Sequence, residues 1–214
     1  LNTLQKHGAI FGKDINAYTS FDETVYNMNN IPVKDGLIDT CLTVLKDWSN
    51  YLLLTDEEID AERGVIKEEW RTRQSGSSRL FDKSMPVIYN NSQYAKRLPI
   101  GKMDIVENFD YNTLRDFYHD WYRTDLQAIV VIGDIEPEEV ENKIKDMFSS
   151  IPAVEHPKKR FVVDIPVNDT PEISYNLGLD PEVSTSTIQM GIRHNNVHPE
   201  NTVGLDCRSL FIIT

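Results

Sequence analysis

The sequence predicts an α+β protein: a layered domain in which a mostly antiparallel sheet packs against helices. Two segments that alternate in polarity, residues 14–20 and 24–31, are separated by a polar stretch of hairpin length. Long helical patterns follow, among them residues 55–73 and 111–122. Because a hairpin pairs its strands antiparallel, this mixture of strands and helices favours α+β over α/β.

The first third of the chain contains the hairpin and two helices. Residues 21–23 form the predicted turn, and residues 34–51 place apolar side chains at helical spacing. The next helix, Thr55 to Arg73, begins with a capping box made by Thr55 and Glu58. Acidic residues crowd its first turn and basic residues its last, which is the charge order that stabilises a helix dipole.

Further elements are predicted up to residue 147. Residues 78–89 and 111–122 form helices, and the branched run of residues 125–135 forms a buried strand. Pro137 opens a last helix that runs through Met147, because proline is tolerated in a first turn.

A boundary is predicted near Asp164, which divides the chain into domains at 1–164 and 165–214. The connecting stretch is interleaved with charge and contains Pro152, Pro157, Pro166 and Pro171. Two strands, residues 172–179 and 185–193, follow it, and a helix is predicted to begin at residue 202.

Charge and composition exclude several classes of function. The net charge of −12 argues against binding to nucleic acid, and the single basic cluster is Lys158-Lys159-Arg160. No apolar run approaches the ~20 residues that span a bilayer. Acidity favours basic peptides as partners. Cys41 and Cys207 form no motif and are predicted to be packed thiols.

The helix of residues 55–73 places Glu62 and Glu69 on a stripe where its pattern expects apolar residues. Seven residues at about 100° each bring the two carboxylates onto one face, which also carries Ile59 and Ile66. A buried carboxylate needs a partner. The two residues are therefore solvated, paired with a basic side chain, or bound to a cation.

The histidines do not form a convincing metal motif. His194 and His198 have i, i+4 spacing, but their surroundings indicate a loop. His119 is expected to be a packed or surface residue, and His7 and His156 are expected in loops.

Two blocks of the sequence, residues 7–32 (HGAIFGKDINAYTSFDETVYNMNNIP) and 61–70 (AERGVIKEEW), resemble the pitrilysin and insulin-degrading-enzyme family of zinc metallopeptidases, in the same order. The resemblance implies that Glu69 is a zinc ligand and that Glu62 supports it. It also implies that residues 1–164 are a truncated peptidase-like domain, and that residues 165–214 begin a second copy.

The family's H-x-x-E-H motif, which supplies two zinc ligands and the general base, does not occur between Leu1 and Thr214. By the family's order it is expected just ahead of Leu1. We therefore expect an excised piece of a zinc metalloendopeptidase that is inactive by itself and does not retain zinc.

The resemblance also implies that the strand with Asn16, Ala17, Tyr18 and Thr19 faces the substrate, because an extended peptide can pair with such an edge. The expected partners are peptides or unfolded proteins and the second half of the peptidase or a partner subunit. A periplasmic or envelope location is implied by family members.

Two other interpretations stay open. The chain can belong to a non-catalytic member of the family that binds peptides or stabilises a partner. Alternatively, both blocks match by accident, and the chain is an acidic interaction domain with solvated carboxylates.

Overall fold

The structure, a computed structural model, describes residues 2–34, 36–167 and 173–193. In these ranges the chain forms helices and one two-stranded antiparallel sheet, as the predicted α+β class requires. The elements are α1 (Asn2–Lys6), β1 (Ile15–Thr19), β2 (Thr24–Met28), α2 (Leu37–Asn50), α3 (Asp56–Thr72), α4 (Gly76–Ile88), a 3-10 turn (Gln93–Lys96), α5 (Met103–Asn108), α6 (Tyr111–Trp121), a second 3-10 turn (Thr124–Leu126) and α7 (Pro137–Phe148).

The predicted hairpin is confirmed, with strands slightly shorter than expected. Strands β1 and β2 pair antiparallel, so that Ala17 lies opposite Tyr26 and Thr19 lies opposite Thr24. The turn closes where the backbone N–H of Ser20 donates to the carbonyl of Glu23 at 2.8 Å.

The described residues fall into two compact units, one of residues up to 67 together with 101–160, and one of residues 68–100 together with those from 161 onward. The core of the first unit joins α1, β1 and α2 through five buried side chains: Leu4, Ala9, Ile15, Leu37 and Cys41. Burial raises the pKa of the Cys41 thiol, which is therefore a packed thiol as predicted. Cys207 lies outside the described residues.

The predicted helices at residues 34–51, 55–73, 78–89, 111–122 and 137–147 are confirmed within a few residues. Thr55 caps α3, since the N–H of Glu58 donates to the Thr55 hydroxyl oxygen at 3.3 Å. Helix α4 begins earlier than predicted, because the hydroxyl of Ser75, not a later residue, accepts from the N–H of Ser78.

The buried strand predicted at residues 125–135 is wrong. Residues 124–126 form a 3-10 turn, residues 133–135 form a bend, and no part of the run belongs to a strand of the described structure. Val130 is 78% exposed and Ile132 is 91% exposed. An apolar, β-branched run forms a strand only where a second segment supplies a hydrogen-bonded ladder.

The two strands predicted after the boundary are also wrong over the part that the structure describes. No residue of 173–179 or 185–193 belongs to a strand of the described structure, and Ile173 and Leu177 are exposed. The helix expected from residue 202 lies outside the described residues, and the boundary near Asp164 stays a prediction. Within the described ranges, no helix has the length and apolar character needed to cross a bilayer.

In the second unit, residues 178–183 pack against the first turns of α4. The Arg79 guanidinium donates to both carboxylate oxygens of Asp180 at 2.8 Å and to Glu182 at 2.7 Å. A Cβ added to Gly76 would lie 2.7 Å from Asp180 Oδ1 and 2.8 Å from Val183 Cγ2. The close approach of this loop therefore requires glycine at position 76.

Candidate functional site

Helix α3 carries both candidate carboxylates, Glu62 in the first unit and Glu69 in the second. The Glu62 side chain is exposed. The Glu69 side chain is 39% exposed, and its Oε1 lies 2.5 Å from an Arg73 guanidinium nitrogen. Of the three possibilities left open by the sequence, Glu62 is solvated and Glu69 is paired with a basic side chain.

The stripe of α3 that packs inward contains Ile59 and the half-buried Ile66, as predicted, but it extends towards Arg63 rather than towards Glu62. Ile59 on this helix is buried, and the Arg63 side chain is only 15% exposed. At about 100° per residue, Glu62 and Glu69 lie roughly 100–120° around the helix from Arg63. The expectation of an inward-facing carboxylate is therefore wrong for Glu62, which is exposed, whereas Glu69 is half-buried and paired with Arg73.

Arg63 fixes this face of α3 to the connection between α5 and α6. Its guanidinium donates to the carbonyl of Val106 at 2.5 Å and to that of Phe109 at 2.8 Å. It also stacks over the Phe109 ring, 3.9 Å from the centroid. One turn later, Lys67 pairs with Glu107. Helix α3 is thus held from the side that leaves Glu62 accessible.

Asp60 adds a second attachment of α3, to the first residue of α6. The Tyr111 hydroxyl donates to Asp60 Oδ2 at 2.7 Å, and Arg63 donates to the other oxygen at 2.9 Å. The hydrogen bond from Tyr111 makes the largest contribution to lowering the pKa of the Asp60 carboxyl below its usual value, and the bond from Arg63 adds to it. Asp60 therefore stays ionised while it holds the helix.

Strand β1 presents the predicted substrate-binding residues Asn16, Ala17, Tyr18 and Thr19, all exposed. Backbone hydrogen bonds flank the ladder at both ends: the N–H of Asn29 donates to the carbonyl of Asp14, and the N–H of Ser20 donates to that of Glu23. These two bonds show which residue pairs of the ladder are hydrogen-bonded and which are not. Hydrogen-bonded pairs alternate in an antiparallel ladder, so the backbone groups of Ala17 and Thr19 point away from β2.

Asn16 covers part of this outer edge. The N–H of Ala17 donates to Asn16 Oδ1 at 2.8 Å, and Asn16 Nδ2 donates to the carbonyl of Gly12 at 3.2 Å. The Asn16 amide oxygen thus occupies the position that the carbonyl of a pairing peptide would take. The Tyr18 side chain is 51% exposed, and its hydroxyl donates to Glu23 Oε1 at 3.3 Å.

The residues described here do not make up a zinc site on their own. No group of three or more His, Cys, Asp or Glu side chains lies within metal-binding reach of one another in the described ranges. A catalytic zinc takes three protein ligands, and Glu69 is one carboxylate with an arginine partner. The donor set fits a single contributed ligand only.

The histidines add no ligand in the part of the chain that the structure describes. His119 is a surface residue, 72% exposed, beside Asp120. His7 and His156 lie in turns, as predicted. His194 and His198 lie outside the described residues.

Sequence reasoning missed an aromatic cluster that supports the hairpin from behind. The hydroxyls of Tyr26 and Tyr122 lie 2.8 Å apart, and the Tyr26 ring lies 5.2 Å from that of Trp48. Partial burial is the main cause that raises the pKa of the Tyr26 hydroxyl, and the hydrogen bond with Tyr122 raises it further. The i, i+4 spacing of Tyr118 in α6 and Tyr122 at its C-terminal cap is the signal that could have indicated this cluster.

Family models match most of the chain. The model described as "Insulinase (Peptidase family M16)" matches residues 1–99, and the one described as "Peptidase M16 inactive domain" matches residues 108–204. The "Probable zinc protease PqqL" of Escherichia coli is 38% identical over 72% of this chain, and that of Haemophilus influenzae is 36% identical over 70%. The chain spans 16% of the length of each of these relatives.

A solved structure agrees with the sequence matches. The crystal structure of the first half of the periplasmic protease PqqL from Escherichia coli superposes with a TM-score of 0.71 at 36% identity. The match covers 78% of this chain and 36% of that one. Two family models in succession, relatives named zinc proteases and a matching fold together show that this chain belongs to the insulinase family of zinc peptidases, peptidase family M16.

Proposed function

We propose that the protein to which this chain belongs is a zinc-dependent endopeptidase that hydrolyses peptide bonds in extended peptides or unfolded proteins. The observation that carries the proposal is the insulinase match over residues 1–99, the range that contains both β1 and α3. Relatives at 36% and 38% identity are named zinc proteases. The proposed enzyme class therefore rests on the family, and the proposed residue roles rest on the resemblance of residues 7–32 and 61–70 to it.

Glu69 is proposed as the one zinc ligand that this chain contributes, with Glu62 as a residue that orients it. When bound, the metal supplies a water made acidic enough to react near neutral pH. The bond between Glu69 and Arg73 joins side chains that are 39% and 69% exposed. Exposed ion pairs contribute little stability, so a divalent cation can replace Arg73 at small cost.

Strand β1 is proposed to bind the substrate backbone. The outward groups of Ala17 and Thr19 offer main-chain hydrogen bonds to an extended peptide, which gives affinity without demanding a sequence. The peptide carbonyl replaces the Asn16 amide on the N–H of Ala17. Tyr18 then contacts a substrate side chain on its face of the hairpin.

The 214 residues by themselves are proposed to bind zinc weakly and not to hydrolyse peptides, because they contain no H-x-x-E-H segment and one candidate ligand. The remaining ligands and the general base would come from another part of the peptidase or from a partner subunit. The periplasmic description of the Escherichia coli relative supports a periplasmic or envelope location.

Substitution of Glu69 in the full-length protein tests the proposal. We expect Glu69→Gln to lose most of the bound zinc and the peptidase activity, because a direct ligand is removed. We expect Glu62→Gln to lose about 10–100-fold in metal affinity or activity, as outer partners of a ligand do. Zinc content is measured by elemental analysis and activity with a fluorogenic peptide.

Glu68→Gln is the matched control for this experiment. It removes the same charge from the adjacent position of α3, where Glu68 pairs only with exposed Arg71 among the contacts of the described residues. If Glu69→Gln keeps zinc and activity as fully as Glu68→Gln, Glu69 is not a zinc ligand, and the proposed roles of Glu69 and Glu62 fail.

A second candidate function is a non-catalytic subunit that binds peptides or stabilises a partner. The match of residues 108–204 to a model described as an inactive domain favours it. Measurement of zinc stoichiometry and hydrolysis in the unmodified full-length protein separates the two functions. Peptide binding without zinc or hydrolysis assigns the subunit role.

A further inference from the structure

Helix α6 contacts both parts of the proposed site in the first unit. Its 11 residues, about 16 Å in length, run from Tyr111 to Trp121, and Tyr122 ends it. The hydroxyl of Tyr111 reaches α3, and the hydroxyl of Tyr122 reaches the hairpin. One rigid element therefore joins the proposed peptide-binding strand to the helix that carries Glu62.

The contacts at the beginning of α6 hold the start of α3. The Tyr111 hydroxyl donates to Asp60 at 2.7 Å. One turn along, the Arg115 guanidinium donates twice to the carbonyl of Leu54, at 2.8 and 3.0 Å, and pairs with Asp56. Charge-assisted bonds of this kind are stronger than neutral ones. The N-terminal turn of α3 is thus fixed to α6 at three points.

The contacts at the other end of α6 hold the hairpin. Tyr122 shares a 2.8 Å hydrogen bond with Tyr26, and the Tyr118 and Tyr122 rings lie 4.6 Å apart. Tyr26 lies directly opposite Ala17 in the ladder. The attachment therefore acts at the centre of the hairpin, across from the residue whose outward N–H is proposed to bind substrate.

Tyr118 ties the same helix to the end of α2. Its hydroxyl donates to the carbonyl of Trp48 at 2.8 Å and accepts from the N–H of Leu52 at 3.4 Å. The Trp48 ring in turn packs against Tyr26. The hairpin is therefore backed by half-buried rings, and the Tyr26 and Tyr122 hydroxyls form a hydrogen bond between it and the end of α6.

We infer that α6 is a strut that sets the position of the peptide-pairing strand β1 relative to the start of α3, with Tyr122 and Tyr26 as positioning residues. This inference rests on the proposed function, in that β1 binds peptide. Neither tyrosine contacts a substrate in this scheme. Each acts by holding the register and orientation of the strand that does.

The test uses the full-length protein with Tyr122→Phe, Tyr26→Phe and the double variant. Each variant keeps the ring and removes one hydroxyl, so the fold is retained. We expect backbone amides of β1 to exchange with deuterium about five-fold faster, the factor that corresponds to one hydrogen bond of ordinary net strength. The double variant should match either single one, because both remove the same bond.

Binding of a fluorescein-labelled unstructured peptide to zinc-stripped protein is the second measurement. We expect a several-fold weaker affinity in Tyr122→Phe, with zinc uptake unchanged. Tyr51→Phe is the matched control, since Tyr51 is 46% exposed and takes no part in these contacts through its hydroxyl. It should leave exchange and peptide affinity as they are.

Unchanged deuterium exchange in β1 would contradict the inference, because the hydroxyl pair would then not position the strand. Exchange that becomes equally faster in β1 and α2 would also contradict it, because the pair would then only stabilise the fold in general. The exchange measurement needs no peptide. If the unmodified protein binds no peptide, the proposed function fails. The deuterium exchange of the β1 amides then still tests whether α6 positions this strand.

Discussion

Arg63 makes the largest set of attachments on helix α3, and its removal should destabilise the first unit markedly. The side chain is 15% exposed and donates to the carbonyls of Val106 and Phe109 at 2.5 and 2.8 Å. Arg63→Met keeps the length of the side chain but leaves both carbonyls without this donor. We expect a loss of about 3 kcal/mol, since a hydrogen bond to a charged group contributes about 1.5–3 kcal/mol and such contributions are not additive.

Urea unfolding of the 214-residue chain, followed by tryptophan fluorescence, measures this effect. With a urea dependence of about 2 kcal/mol per molar, the midpoint should fall by about 1.5 M. Arg71→Met is the control, because Arg71 is 68% exposed and pairs with Glu68 one turn away on the same helix. We expect it to leave the midpoint almost unchanged, because solvent screens an exposed ion pair.

Equal midpoint shifts in the two variants would refute this reasoning. Such a result would mean that the burial and the two carbonyl bonds of Arg63 contribute no more than an exposed ion pair. Arg63 would then not be the residue that decides which stripe of α3 packs inward.

Three further predictions concern the second unit and the exposed face of α3. Gly76→Ala should lower the melting temperature, at a cost of about 1–3 kcal/mol, because its Cβ would lie 2.7 Å from Asp180 Oδ1. Gly64→Ala, where a Cβ meets nothing within 4 Å, should instead stabilise helix α3 by about 0.5–1 kcal/mol. Arg79 lowers the pKa of Asp180 from 3.8 to about 2. The stability that this adds is present above about pH 4 and is lost as pH falls towards 2. Asp180→Asn should therefore show a smaller change in melting temperature between about pH 5 and pH 3.

Each of these predictions has a clear contrary outcome. If Gly76→Ala melts at the same temperature as the unmodified chain, the loop of residues 178–183 does not lie against α4 in solution. If Asp180→Asn loses as much stability on acidification as the unmodified chain, other carboxylates carry the acid dependence.

The local elements could be predicted from the sequence because their causes are local. Thr55 and Glu58 begin α3 through their own side chains, and alternation on either side of a short polar turn is enough for the hairpin. The family blocks likewise depend on residue order alone. These features needed no knowledge of what each element packs against.

What packs against each element was decided only by the tertiary structure. Periodicity placed Glu62 and Glu69 on an inward stripe, and Ile59 of that stripe is indeed buried. The position beside it is taken by Arg63, which bonds to the carbonyls of Val106 and Phe109, more than 40 residues away, while Glu62 stays exposed. The run at residues 125–135 had the composition of a strand, yet no described segment supplies its ladder. Sequence alone therefore determined the helices, the hairpin and the family, while the choice of buried face and the pairing of apolar runs depended on distant partners that local patterns do not specify.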